Sequence, residues 1–448
     1  MRGPGLAICR NSNVCLTVSG SFFCCTQHFV NLPLSVSKTL GGDLESKKLY
    51  EVISTALKTR PFGNAKTGTG YRQTEHVGIT KQIVSPATPE ATALFVRQTC
   101  SEAVEVSEVI KPKKLNVGDT IATISPAWGC AGSARVRWQY ELGVQRLQEL
   151  GLRVVAAPNS LKGTSFLRNA PEARAEDLMW AFENKEVKAI IANIGGNDSV
   201  RLLPFLNPDV IQRNPKILCG YSDVMTLHLY CYQLGLSTFY GDNLLTNVAE
   251  AKEWHPYSKA WFRKTLFEAA PIGTIFPSEE WSFDSNHHTN PSYCKRYVKN
   301  DGYVKVQGKG VARGRLFGGH GGLAEYEEGS GITLKCSDFE GKLLFFEDIP
   351  EVCDVAYMRN FFDWLGANGY LQVLNGVIIG KMRTKNGFTS YAEAIREVVS
   401  GKYGLSELPI LYGLNFGHIS PICVLPYGAE AEFDVEQLRF TILESGVV

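Results

Sequence analysis

From Val117 onward the chain alternates short apolar runs with longer stretches of helical period. "DTIATISPA" is a β-branched run that ends at Pro126, and "SARVRWQYELGVQRLQELG" repeats apolar residues at helical spacing and closes on Gly151. "LRVVAAP" predicts the next strand and "PEARAEDLMWAFENKEV" a helix with Pro171 near its start. "KAIIANIGG" and "KILCG" predict strands, "DSVRLLPFL" and "DVMTLHLYCYQLG" helices. Runs of this length bounded by turn formers read as buried strands. Their alternation with helices implies βαβ units and a parallel sheet covered on both faces.

The pattern breaks between Pro271 and about Gly310, where "PSEEWSFDSNHHTNPSYCKRY" has no period and many turn formers. A structureless stretch of that length inside a domain predicts a linker or a flap. A second region follows. "GRLFGG", "KLLFFEDI", "GVIIGKM" and "LPILYGLNFGH" predict strands, "VAYMRNFFDWLGANG" and "SYAEAIREVV" helices, and "AEAEFDV" with "RFTILES" a terminal pair. Before the first strand lie a helical pattern, "LESKKLYEVISTALK", and a linker-like Lys111-Pro112-Lys113-Lys114.

Composition narrows the class. The chain has 448 residues, 44% apolar and 20% charged, with a net charge of +1. That is ordinary for a soluble globular protein, and it argues against a whole-surface attraction to nucleic acid or to anionic membrane. Twelve cysteines are scattered without a Cys-x-x-Cys, which predicts reduced thiols and gives a zinc site no spacing to use. His287 and His288 sit in a polar loop and read as solvated. Residues 1–42 contain no Asp or Glu and many Ser and Thr. An organellar transit peptide, a poor secretory signal around "VCLTVSGSFFCC" and a plain extension all fit this segment, with the cytoplasm expected for the rest.

Three strand ends of the first region carry unusual residues: "SPAWG" (125–129), "NIGGND" (193–198) and "GYSD" (220–223). In an open parallel sheet these ends lie along one edge, where ligands bind. Ser222 is open to two readings. A serine at a helix start can cap it, and a serine on a tight strand-to-helix turn can be a nucleophile, although Val224 stands where Gly-x-Ser-x-Gly has its last glycine. Two glycines after a strand form a simple turn, a phosphate cradle or half of an oxyanion hole. No nucleotide-binding fingerprint occurs. In the second region Glu347 and Asp348 follow an apolar run, and His418 ends another.

Taken in order, "GDTIATISPA", "IIANIGGND", "GYSDVMTLH", "GDNLLTN", "GRLFGG", "GKLLFFEDIPE", "GVIIGKM" and "LNFGH" resemble the LD-carboxypeptidase family of serine peptidases, which includes the microcin-immunity peptidases. The resemblance covers about three quarters of the chain, from residue 112 on. It implies an α/β fold: a flavodoxin-like parallel-sheet domain over 113–272, a linker or flap over 273–310, and a smaller mixed α/β domain over 311–448. Residues 1–112 remain a poorly structured extension outside it. It further implies Ser222 as nucleophile, His418 as base and Glu347 as orienting carboxylate, with an oxyanion hole from the Asp223 N–H and one from Gly195 or Gly196. Trp281, in the linker, is a candidate to stack on a nucleobase. His320 stands in "GGHGGL" where the family commonly has Gly-Gly-Asn-Leu, which makes it a candidate substrate contact and a departure from the pattern. The expected partner is a small peptide or peptidyl-nucleotide substrate, without nucleic acid, membrane, cofactor or metal, and a homodimer is the candidate assembly. The competing expectation is a catalytically inactive relative that binds a ligand in the same cleft.

Overall fold

The structure is a computed structural model that describes residues 109–448 apart from 285–287, 325, 327–332, 350–352 and 383–386. The acid-free stretch 1–42, the helical pattern near residue 50 and His287 lie outside the described residues.

Five parallel strands, β1 (Thr120–Ile124), β2 (Arg153–Ala156), β3 (Val187–Ala192), β4 (Ile217–Gly220) and β5 (Phe239–Tyr240), build the first sheet in the order β2-β1-β3-β4-β5. This is the flavodoxin-like order, with its switch point between β1 and β3. The apolar runs follow from burial on both faces. Along β3 and β4, Ile190 and Leu218 point into one core, while Ile191, Ile217 and Cys219 point into the other. The strand β2 is the exposed edge, which accounts for its polar Arg153. The helices Arg137–Glu149, Pro171–Glu183 and Met225–Gln233 fall where the periodicity predicts them.

The second sheet has eight strands and is mixed. Its members in chain order are β6 (Gly273–Ile275), β9 (Val304–Gln307), β10 (Val311–His320), β11 (Lys342–Glu347), β12 (Gly376–Gly380), β13 (Ile410–Leu414), β15 (Glu430–Asp434) and β16 (Arg439–Ile442). Four of them, β10-β11-β12-β13, run parallel at the centre. Antiparallel β15, β16 and β6 extend one side, and β9 closes the other. Separately, β7 (Glu280–Trp281) and β8 (Val298–Lys299) form a two-stranded ribbon. The remaining strand, β14 (Leu425–Pro426), pairs with β5, so the first sheet takes its sixth strand from the C-terminal region.

Two expectations are corrected here. The stretch 273–310 is not an aperiodic linker, because β6 and β9 within it are edge strands of the second sheet. Edge strands this short, three and four residues, leave almost no alternation to read. Nor is Lys111-Pro112-Lys113-Lys114 a free linker. Ile110 exchanges backbone hydrogen bonds with Gly235 and Ser237, Lys114 N donates to Val448 O, and Leu115 is buried. Lys111 pairs with Glu444 at 2.8 Å.

Candidate active site

The strand β4 ends at Gly220, and the chain turns through Ser222–Val224 into the helix Met225–Gln233. Ser222 has φ +67°, a left-handed conformation that costs a residue with a Cβ about 1–3 kcal/mol. The surroundings hold it there. Asn243 clamps Tyr221 from both sides, accepting from its N–H at 3.2 Å and donating to its carbonyl at 3.3 Å. Asp223 Oδ2 accepts from the N–H groups of Asp198 and Ser199 at 3.0 and 2.9 Å, and Ser199 Oγ donates to the Asp223 carbonyl at 2.6 Å. No bond of this frame uses the Ser222 hydroxyl. That hydroxyl lies 3.0 Å from His418 Nε2 and makes no capping bond to the helix, so of the two readings open for Ser222 the cap is not seen.

Glu347 and His418 come from the ends of β11 and β13, the two strands that flank β12 in the second sheet. Glu347 is the last residue of β11 and is fully buried. His418 lies four residues past the end of β13, directly after Gly417. Glu347 Oε2 accepts from His418 Nδ1 at 2.8 Å and from the His418 backbone N–H at 2.9 Å. Gly417 makes this approach possible: its φ is +92°, and a Cβ there would fall 2.2 Å from Glu347 Oε2. Burial pushes the Glu347 carboxyl up, but the His418 charge and the hydrogen bonds from His418 and Tyr240 outweigh it and hold the group below its ordinary value.

Tyr240, at the end of β5, joins the two halves. Its hydroxyl donates to Glu347 Oε1 at 2.5 Å and accepts from Ser222 N–H at 3.3 Å. The sequence reading missed it, since a tyrosine ending a buried strand looks like core. Its signal was its place beside "GDNLLTN". Tyr240→Phe should lower kcat about ten- to a hundredfold with little change in KM. It leaves one oxygen of a buried carboxylate unsatisfied, a penalty of about 1–3 kcal/mol. Losing that donor leaves the Glu347 charge less neutralised by hydrogen bonds and so favours the protonated His418 ring, which moves the acid limb of activity to higher pH. A pH–rate profile with an unmoved acid limb would make Tyr240 a packing residue only.

The glycine loop lies against the serine. A Cβ on Gly195 would sit 2.8 Å from Ser222 Cβ and 3.1 Å from its Oγ, so no side chain fits there. A Cβ on Gly196 would meet Ala127 at 2.6 Å. The Asp223 N–H belongs to the helix-start donors that no carbonyl of the turn can reach. His320 ends β10 in register with Glu347, and its Nδ1 accepts from Gly322 N–H at 2.9 Å.

Trp281 is half-buried on β7, its ring 5.0 Å from Lys381 Nζ and 5.4 Å from Phe283. It walls a cavity of about 500 Å³ with Lys381, Phe388 and Tyr412. The next residue, Ser282, exchanges backbone bonds of 2.6 and 2.9 Å with Ser420, two positions past His418. The 273–310 stretch is thereby stitched to the histidine turn. Among the described residues, no group of three or more His, Cys, Asp or Glu side chains could hold a metal ion. No described helix is long and apolar enough to cross a membrane.

A strained serine, an imidazole on its hydroxyl and a buried carboxylate on the far ring nitrogen stand in the arrangement that serine hydrolases use to deprotonate a nucleophile. Comparison with known proteins gives the family. The LD-carboxypeptidase N-terminal domain profile matches residues 121–241 and the C-terminal domain profile residues 313–433. The chain belongs to the LD-carboxypeptidase family, peptidase family S66, which includes the MccF microcin-immunity proteins. It is 30% identical to the microcin C7 self-immunity protein MccF of Escherichia coli, over 74% of this chain and 94% of that protein. It is 29% identical to the probable murein peptide carboxypeptidase of Bacillus subtilis, over 75% and 95%. Among solved structures, an MccF-like protein from Streptococcus pneumoniae in complex with AMP superposes with a TM-score of 0.65 at 31% identity, covering 72% of this chain and 98% of that one. MccF in complex with aspartyl sulfamoyl adenosine gives 0.65 at 27%, covering 76% and 100%.

Proposed function

We propose that the chain is a serine peptidase that hydrolyses an amide bond in a small peptide or a peptidyl-nucleotide conjugate. The observation that carries this reading is the Ser222 Oγ–His418 Nε2 contact of 3.0 Å, continued by His418 Nδ1–Glu347 Oε2 at 2.8 Å. Ser222 Oγ attacks the scissile carbonyl carbon, and its proton passes to His418 Nε2. The oxyanion is met by the Asp223 N–H and by one from Gly195 or Gly196. His418 then returns the proton to the leaving amine as the C–N bond breaks. Water, deprotonated by the same histidine, hydrolyses the acyl-enzyme.

Glu347 suits its part because it is ionised and held by three hydrogen bonds, so it fixes the imidazole without competing for its proton. Murein peptides and aminoacyl nucleotides are the two substrate classes that the relatives' names and ligands suggest. A mass-spectrometric assay on murein tetrapeptide and on an acyl-sulfamoyl adenylate, together with phosphonate labelling of Ser222, tests the reading. No cleavage of either and no labelling would leave a binding protein that keeps the cleft.

Trp281 bears on the choice of substrate. A half-buried indole beside a lysine and next to the histidine turn is a stacking surface for a base, which is worth about 1–3 kcal/mol. Trp281→Ala should raise KM for the nucleotide-bearing substrate about ten- to a hundredfold and leave the tetrapeptide nearly unaffected. Equal losses on both would assign the ring to packing.

A further inference from the structure

A separate cavity of about 640 Å³ is walled by Trp128, which follows β1, and by Gly196 and Asp198, which follow β3. It therefore sits at the switch point of the first sheet, where ligands of this architecture bind. Its volume is in the range of small-molecule sites. It adjoins the elbow: Gly196 follows the glycine that touches Ser222, and the Asp198 N–H is bonded to Asp223 Oδ2.

Its electrostatics are one-sided. The single carboxylate, Asp198, is taken by the buried Arg174 through bonds of 2.8 and 3.2 Å, and again by Arg201 at 3.2 Å. Arg201 is set in place by a second bond, from Nη1 to the Arg168 carbonyl at 2.8 Å. Both of its bonds to described residues leave from Nη1, while a guanidinium has five N–H donors. Arg168 adds a further cation on the wall and has no carboxylate partner among the described residues. Two guanidinium groups thus face a cavity whose only acid is already paired. Trp128 is 43% exposed and supplies an apolar side.

We propose that this cavity receives the free terminal carboxylate of the leaving residue, held by Arg168 and by the uncommitted N–H groups of Arg201. The proposal rests on the peptidase reading and adds the basis of exopeptidase selection. A residue spans at most about 3.3–3.6 Å of chain. A cation site that selects the last residue must therefore adjoin the oxyanion loop, and Gly196 belongs to both. A carboxylate matches a guanidinium through charge-assisted bonds that an amide cannot make.

The test is calorimetric and needs no turnover. Murein tetrapeptide as the free acid and as its C-terminal amide is titrated into the Ser222→Ala chain and into Ser222→Ala/Arg168→Ala. The second substitution removes the guanidinium and leaves the carbonyl that anchors Arg201. The acid should bind about ten- to a hundredfold tighter than the amide, the range of one charge-assisted bond. Arg168→Ala should weaken the acid about three- to tenfold, the N–H groups of Arg201 keeping the rest of the preference, and leave the amide unchanged. Equal affinities in the parent, a preference undiminished by Arg168→Ala, or an acid that does not bind each overturn the proposal. Hydrolysis by the unmodified chain is measured separately. Its absence, with the carboxylate preference intact, would sink the peptidase reading and support the subsite.

Discussion

Ser222→Ala should lower turnover by about four to six orders of magnitude, because members of a catalytic relay act as a unit and removing one forfeits most of the gain. The fold should not change. The elbow is held by Asn243, Ser199 and the Asp198 N–H, none of which touches the hydroxyl, and alanine keeps the same Cβ in the same left-handed backbone. The expected stability change is within about 0.5 kcal/mol. Ser222→Gly separates strain from chemistry. It should be as inactive as the alanine variant yet more stable, by about 1 kcal/mol, since glycine adopts this φ without the steric cost. Urea unfolding of the three proteins, with kcat on the same preparations, measures both quantities. Normal turnover by Ser222→Ala would remove the serine from the mechanism. A fall in stability with normal turnover would return it to a structural role.

The first sheet was legible because parallel strands are buried on both faces and read as continuous apolar runs. β1, β3 and β4 stand where "DTIATISPA", "KAIIANIGG" and "KILCG" put them. The meeting of the three candidate side chains was legible for a related reason. Polar residues straight after such runs have to sit at a sheet edge, and Ser222, Glu347 and His418 do meet there. Legibility failed where an element is short or its partner is far along the chain. Two residues of β14 cannot announce that they pair with β5, some 185 positions earlier, and β6 and β9 show no alternation that sets them apart from loop. Tyr240 was hidden because its hydroxyl is spent on Glu347, more than a hundred residues away, while its ring packs as core. The cavity at Trp128 was half legible: "SPAWG" and "NIGGND" were marked as strand ends, but Arg168 reaches it from a helix, Thr164–Asn169, that carried no sign of chemistry.

His418→Ala should be nearly as damaging as loss of the serine, and Glu347→Gln milder, because the carboxylate orients and stabilises a ring that itself moves the proton. The pH dependence separates their roles. A base must be unprotonated to act, so with His418 in that role activity rises with pH and is lost as the ring takes up a proton. The acid limb of the unmodified chain should follow the ring, since the Glu347 carboxyl is held below its ordinary range and stays ionised while the ring titrates. A negative charge 2.8 Å from Nδ1 favours the protonated ring. Glu347→Gln removes that charge, so the acid limb should move to lower pH even as the maximal rate falls. The same depressed carboxyl contributes stability that is present above its unfolded-state value and lost as pH falls through the folded one. The glutamine variant should accordingly lose less stability between neutral and acid pH than the unmodified chain. Measuring kcat/KM and urea midpoints across pH 4 to 8 for both proteins checks the two shifts together. An acid limb that stays in place in Glu347→Gln would show that the carboxylate does not act through His418, and a flat profile in the unmodified chain would count against the histidine as base.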